Sequence, residues 1–328
     1  MKIAVASGKG GTGKTFVATN LFNVLSRRGE ALTLTDCDAE APDDLLFFRA
    51  EKVSETEVTH QVPVINKDAC TWCGRCSRWC NYNAIFYVPA AKVIEVIENL
   101  CHGCGACTFA CNSGAITEKP VLLGKVTKFM TDGGSKVVEA RMKVNEMSPV
   151  RIIKEAIKES GEDGVVILDA PPGTSCPFIQ TVDKADNVLL VTEPTPFGLS
   201  DLRQSVETLR EMKKTPAVII NRSDIGDGSV AEYLAKENIP LLAEIKYDPA
   251  IARVYSEGKL VTDEIPALTS LFEDMPEKHT DFIYSVIGEE MGFVWSAMVL
   301  AAFGLLVWRA FVIATESQDR FGSLVSLS

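Results

Sequence analysis

Nine residues, Ser7 to Thr15, SGKGGTGKT, restrict the fold more tightly than any other part of the chain. They follow an apolar run, KIAVA, and precede a helical pattern, TFVATNLFNVLSRRG. The loop fits G-x4-G-K-[ST], with Gly8, Gly13, Lys14 and Thr15 at the fixed places. Gly10, Gly11 and Gly13, with Thr12 between them, leave backbone N–H groups free to wrap phosphate oxygens at a helix N-terminus. Lys14 brings positive charge to the β- and γ-phosphates, and Thr15 offers a hydroxyl to Mg²⁺. A bare glycine turn is the bland alternative. It is weak here, because the motif sits between a strand and a helix.

The rest of the chain repeats that unit. Strands are expected at 2–7, 31–36, 164–168, 187–192, 216–221 and 240–245, and helices at 14–28, 148–160, 199–213 and 229–237. Short apolar strands alternating with amphipathic helices imply an α/β fold: a mostly parallel sheet with helices on both faces. Phosphates then belong beyond the carboxyl ends of the strands. With 328 residues, 46% of them hydrophobic, the chain can bury one large domain and a small one.

Residues from about 59 to 121 break the alternation. There CTWCGRCSRWC carries Cys70, Cys73, Cys76 and Cys80, and CHGCGACTFAC carries Cys101, Cys104, Cys107 and Cys111. Both read C-x2-C-x2-C-x3-C, so eight of the ten cysteines form an internal repeat. The start MKIAVAS has no charged leader followed by an apolar core and a cleavage site, so a cytoplasmic protein is expected. In that compartment disulfides are rare and such runs more often bind metal. Paired zinc sites usually want two C-x2-C pairs across a longer loop. The net charge of −11, without a strongly basic stretch, speaks against nucleic acid as a general partner.

The loop K-G-G-x-G-K-T, with its second lysine Lys9, resembles the deviant phosphate loop of the MinD/ParA/Mrp and nitrogenase iron-protein class of ATPases. The resemblance implies that Lys9 reaches the partner's phosphates across an ATP-bridged homodimer. LTLTDCDAEAP resembles the first switch, placing Asp36 and Asp38 near Mg²⁺ and the attacking water. VVILDAPPGTSCP resembles the second switch, with Asp169 facing the metal's water shell. AVIINRSD places Asn221 where that class contacts the base. The same residues, Asn221-Arg222-Ser223-Asp224, also resemble the N-K-x-D motif that reads guanine; the loop and both switches favour adenine.

The cysteine repeat is similar to a bacterial two-cluster ferredoxin, in which the fourth cysteine of each run serves the other cluster. Carried over by position, one [4Fe–4S] cluster takes Cys70, Cys73, Cys76 and Cys111, and the other Cys101, Cys104, Cys107 and Cys80. The proline that usually follows the fourth cysteine is Asn81 in one run and Asn112 in the other. MinD-superfamily ATPases with an inserted ferredoxin domain show this arrangement, and the resemblance spans residues 1 to about 272. Cys37 is expected to be a small buried residue. Cys176 matches the offset of a cluster-ligating cysteine in the nitrogenase iron protein, though that protein's second ligand has no evident match.

From about Pro276 the text changes. Residues Phe293 to Ala314 form an apolar run broken only by Arg309, long enough to cross a bilayer. The segments PEKHTDF, GEEMGF and DRFG resemble the FtsW, RodA and SpoVE family of peptidoglycan polymerases, with Asp281 at an acidic position that family needs. With the ATPase in the cytosol, Glu289 and Glu290 would lie inside and Arg309 toward the outside, against the positive-inside tendency. The tail therefore reads as a foreign segment joined to the ATPase, with a C-terminal membrane anchor as the alternative.

The expected parts are a P-loop ATPase at 1–58 and 122–273, an inserted ferredoxin domain at 59–121, and the tail at 276–328. The leading functional expectation is a dimeric ATPase that couples ATP and Mg²⁺ to electron transfer or iron–sulfur work with an unknown redox partner. Lys9, Lys14, Asp38 and Asp169 are its expected catalytic residues. A positioning ATPase with structural clusters is the rival, and glycan synthesis by the tail is the weakest reading.

Overall fold

A computed structural model describes residues 1–29, 31–273 and 275. Its frame is one nine-stranded sheet. The strands are β1 (Lys2–Ala6), β2 (Leu32–Asp36), β3 (Ala50–Ile65), β6 (Ile116–Thr131), β7 (Lys136–Met142), β8 (Val165–Asp169), β9 (Asn187–Thr192), β10 (Pro216–Asn221) and β11 (Leu241–Ile245). They lie in the order β11-β10-β9-β1-β8-β2-β7-β6-β3. Every pairing from β11 through β7 is parallel, whereas β7–β6 and β6–β3 are antiparallel. Val5, Leu34, Ile167, Leu189 and Ile219 of the parallel strands are fully buried. Such continuous apolar strands are what a sheet covered on both faces requires.

The covering helices are α1 (Lys14–Ser26), α4 (Val150–Glu159), α5 (Cys176–Asp183), α6 (Pro196–Glu211), α7 (Ser229–Lys236), α8 (Pro249–Ser256) and α9 (Val261–Glu264). α4 shows why they form: Ile152, Ile153, Ala156 and Ile157 make one buried stripe, while the lysines and glutamates between them face water. α6 begins three residues before the expected 199, because Thr195 caps Gly198 N–H at 3.0 Å and Pro196 takes the first turn.

The larger departure is β3 with β6. They pair from Ala50↔Thr131 to Ile65↔Ile116 and form a ribbon of about 50 Å that continues the sheet edge. The ribbon runs through both expected insert boundaries, 59 and 121. Residues 66–115 close its far end and hold α2 (Arg75–Arg78), α3 (Ala106–Ala110) and the hairpin β4 (Ile85–Val88) with β5 (Val93–Val96). No described helix is long and apolar enough to cross a membrane. The expected span at 293–314 lies outside the described residues.

Candidate nucleotide site and cysteine lobe

β1, β2, β8 and β10 end at a cavity of about 450 Å³ lined by the loop residues Gly10, Gly11, Gly13, Lys14 and Thr15, with Asp38 and Asn221 opposite. Gly13 has φ +98, and a Cβ there would meet Asn221 Nδ2 at 2.5 Å. Gly8 has no room either: its Cβ would lie 2.5 Å from the Asp201 carbonyl oxygen. Two loop glycines are thus held by contacts with α6 and with the end of β10. Asn221 fixes the loop in turn, donating Nδ2 to the Thr12 carbonyl at 2.9 Å.

Carboxylates crowd the other wall. Thr15 Oγ1 donates to Asp169 Oδ2 at 2.7 Å. Burial lifts Asp169 to about 7, with Lys14 and Thr15 pulling it part of the way back. Asp38 lines the cavity, and burial raises it too, against the pull of Lys14. Asp36 does something the sequence did not suggest. It is buried, accepts from Asp38 N at 3.0 Å, from Asp43 N at 2.8 Å and from Asp44 N at 3.0 Å, and so shapes the first-switch loop.

Asp43 and Asp44 are the residues that sequence reasoning missed. Asp36, Asp43 and Asp44 bring carboxylate oxygens within 4.8 Å of one another, and Asp44 is wholly buried. Both Asp44 oxygens, Asp169 Oδ1 and Thr12 Oγ1 lack a hydrogen-bond partner. Burial and the neighbouring carboxylates push Asp36 and Asp44 well above the usual carboxylate range. Buried oxygens without partners, next to a threonine hydroxyl and below a phosphate loop, fit a hard divalent cation.

Lys9 does not face the cavity. Its Nζ lies 3.6 Å from Glu193 Oε2, while Arg222 Nη1 reaches Glu193 Oε1 at 2.7 Å. Asp224, the residue that would read guanine, accepts instead from Tyr247 N at 2.6 Å. It is spent on holding the β11–α8 loop.

In the cysteine lobe the repeat is structural. Trp72 N donates to Cys70 Sγ and Gly103 N to Cys101 Sγ, both at 3.4 Å. Gly74 and Gly105, at φ +67 and +72, begin α2 and α3 in the left-handed region. Cys80 lines one small cavity with Cys101, Cys104 and Cys107. Cys76 and Cys107 are buried with Ile85, Ile94 and Ile116, and Cys111 packs against the same group. Among the described residues no three of these thiols lie within 4.8 Å of one another. A tetrahedral zinc–thiolate site would draw its sulfurs to about 3.8 Å. Arg151 of α4 donates to the Gly103 carbonyl at 2.9 Å, so the ATPase helix touches the second run directly. Cys37 is fully buried, and Cys176 is exposed at the first residue of α5.

Residues 3–261 match the family model of the CobQ/CobB/MinD/ParA nucleotide-binding domain. Two uncharacterized proteins of Methanocaldococcus jannaschii are 29% and 30% identical, over 86% and 79% of this chain and 98% and 90% of their own. An iron-sulfur cluster carrier protein of Aquifex aeolicus is 23% identical over 80% of this chain and 62% of its own. Among solved structures, the cell division ATPase MinD of Pyrococcus furiosus superposes with a TM-score of 0.52 at 22% identity, covering 84% of this chain and 98% of that one. MinD of Pyrococcus horikoshii, solved with Mg-ADP, gives 0.52 at 20% identity, covering 83% and 94%. These two show the fold. Residues 253–328 match the FtsW/RodA/SpoVE cell cycle protein family model. Over 53 residues the tail is 51% identical to a probable peptidoglycan glycosyltransferase FtsW of Trichlorobacter lovleyi, 16% of this chain and 14% of that protein. With the family matched from residue 3 to residue 261 on the sheet and loop just described, the chain belongs to the CobQ/CobB/MinD/ParA nucleotide-binding domain family.

Proposed function

We propose that the chain is an ATP-hydrolysing homodimer that couples nucleotide state to electron transfer or iron–sulfur work through two [4Fe–4S] clusters. The observation that carries the cluster half is the shared cavity of Cys80 with Cys101, Cys104 and Cys107, three thiols of one run and the fourth of the other. In this reading the second cluster is bound by those four, and the first by Cys70, Cys73, Cys76 and Cys111. The relative named as an iron-sulfur cluster carrier protein supports the reading. When bound, each cluster supplies a site that takes up or releases one electron.

On the nucleotide side, Lys14 holds the β- and γ-phosphates, while Thr15 and Asp169 present oxygen to Mg²⁺, which neutralises phosphate charge when bound. Asp38 orients the water that attacks the terminal phosphoryl group. Asn221 lies beside the base, and the engaged Asp224 favours adenine over guanine. Lys9 completes the partner's site in the dimer, which requires it to leave Glu193. The two functions are joined physically. Met142 N donates to the Ala39 carbonyl of the first-switch loop at 2.7 Å, and α4, eight residues on, holds Gly103 of the second cysteine run. Such a contact lets switch rearrangement reach the lobe.

The lobe, residues 66–115, is then the core of an inserted domain read at 59–121 between the two ATPase parts, 1–58 and 122–273. The tail at 276–328 is a joined FtsW-like segment, whose apolar run at 293–314 offers a membrane contact. Iron and sulfide content of anaerobically purified protein, with EPR spectra under ATP and under ADP, tests the proposal. About eight irons per chain and a nucleotide-dependent reduction potential are expected. Full iron with no nucleotide response would leave a positioning ATPase with structural clusters; zinc in place of iron would remove the electron-carrier reading altogether.

A further inference from the structure

We propose that the face formed by Arg75, Arg78, Trp79 and Phe109 docks an acidic electron-carrier protein. Arg75, Arg78 and Trp79 stand at i, i+3 and i+4 along α2 and its cap, so they share one side of that turn. Trp79 is 54% exposed and Phe109 of α3 is 81% exposed, yet their rings lie 6.1 Å apart. Two large aromatic side chains therefore pair in open solvent. Neither arginine has a carboxylate partner among the described residues; Arg78 reaches only the Cys73 carbonyl, at 3.2 Å. In a chain of net charge −11, two unpaired guanidinium groups beside exposed rings form a local field opposite in sign to the whole. Arginine and aromatic residues are the types that carry binding energy at interface centres.

The position of the face argues for an electron carrier. Trp79 directly precedes Cys80, and Phe109 stands two residues before Cys111, so the paired rings come from the chain segments that carry the fourth cysteine of each run. A carrier docked here would meet both runs at their shared edge. Charge complementarity then requires carboxylates around the carrier's redox group. They would steer the encounter, while the rings supply a dry centre. A second copy of this chain docked face to face would set the same arginines against each other, because a two-fold contact is self-complementary only when its charges are. This inference rests on reading the clusters as electron carriers. In the step itself one electron leaves a reduced carrier and enters one oxidised cluster; no bond is made or broken.

Reduced flavodoxin, an acidic flavoprotein, serves as the probe, with the full chain carrying its iron. Its hydroquinone anion gives up one electron and becomes the neutral semiquinone. Binding to the wild type should weaken at least tenfold between low and moderate salt. The pair Arg75→Glu and Arg78→Glu should lose about tenfold in association rate and flatten that salt dependence. The pair Trp79→Ala and Phe109→Ala should lose about tenfold in affinity while the salt dependence stays. Reduction by dithionite, which needs no docking, should be unchanged in all variants. Charge reversal that leaves binding and salt dependence intact overturns the proposal. So does an equal slowing with dithionite, or salt-sensitive self-association of the chain with which flavodoxin does not compete. Iron and sulfide content on the same preparations scores the cluster reading separately from the docking.

Discussion

At the phosphate loop, Lys14 and Thr15 open α1 beside parallel strands buried on both faces, Lys14 is buried, and Thr15 is fixed by its hydrogen bond to Asp169 at the end of β8. In the cysteine lobe only Cys76 and Cys107 of the eight thiols lie on helices, of four and five residues, and these two complete a core of five buried side chains. Fifty residues with so small a core fall below what apolar burial alone can hold. The contrast separates two ways of placing functional atoms. The nucleotide site is preformed by the sheet and waits for charge to arrive, while the lobe, in the function proposed above, would depend on its clusters for much of its order.

The sharpest break of that comparison is at Lys14. Lys14→Ala should lower ATP affinity by about 100-fold, since a charge-assisted contact to phosphate is worth about 3 kcal/mol. The eight thiols should still take up their full iron. Calorimetric titration with ATP and an iron assay on one preparation check both halves. Loss of iron as well would show that the lobe needs the loop.

The converse break is Cys80→Ser. It should remove about four irons, those of the cluster whose other ligands are Cys101, Cys104 and Cys107. Backbone amides in residues 101–115 should then exchange faster with solvent, while those of β8 keep their protection. If the cluster of Cys70, Cys73 and Cys76 is lost instead, the crossed ligand assignment is wrong.

Glu193 sharpens the comparison on the nucleotide side. It holds Lys9 and Arg222 together, and in the dimer proposed above Lys9 would have to let go. Glu193→Gln keeps the shape but weakens that hold, so ATP-dependent dimerisation should tighten by about threefold to tenfold. Lys9→Ala should spare ATP binding and cut both dimerisation and hydrolysis. Sedimentation with and without ATP distinguishes these outcomes; a Lys9→Ala protein that hydrolyses ATP normally as a monomer would sink the trans role.

What could be read in the sequence follows the same division. β1, β2, β8, β9, β10 and β11 fall within a residue or two of expectation, because buried parallel strands are continuous apolar runs. β3 was invisible for the opposite reason. Its first half, AEKVSET, is largely exposed and charged, and its apolar residues emerge only at Val58 and Val62, next to the cysteines that draw the eye. The loop glycines, Lys14, Thr15, Asp38, Asp169 and Asn221 were all legible from motif and resemblance; Gly10, Gly11, Gly13, Lys14, Thr15, Asp38 and Asn221 line one cavity, and Asp169 joins them through Thr15. Asp43 and Asp44 were not. A Pro-Asp-Asp turn normally reads as solvated, and only the apolar LLFF behind it hinted that the second carboxylate turns inward.

The smallest expected effect comes from that second carboxylate. Asp44 is buried without a partner, and burial with the nearby Asp36 and Asp169 raises it well above the usual carboxylate range. A carboxyl raised by folding holds its proton longer in the folded state than in the unfolded chain. Between its ordinary value and its folded value the folded state binds more protons, so stability must fall as pH rises through that window. For Asp169 the window runs from 3.8 to about 7. The nucleotide-free protein should therefore lose stability from about pH 4 toward neutrality on account of this group. Asp44→Asn removes one charge and adds a donor for the unpaired oxygens around it. At pH 8 it should raise the stability of the nucleotide-free protein by about 1–3 kcal/mol. At pH 5 the gain should shrink, because a carboxyl raised in the fold holds its proton more fully at the lower pH. Denaturant titrations at the two pH values, without nucleotide or metal, measure the difference; an equal effect at both would mean that Asp44 is not held neutral by its surroundings, and that its burial is compensated some other way.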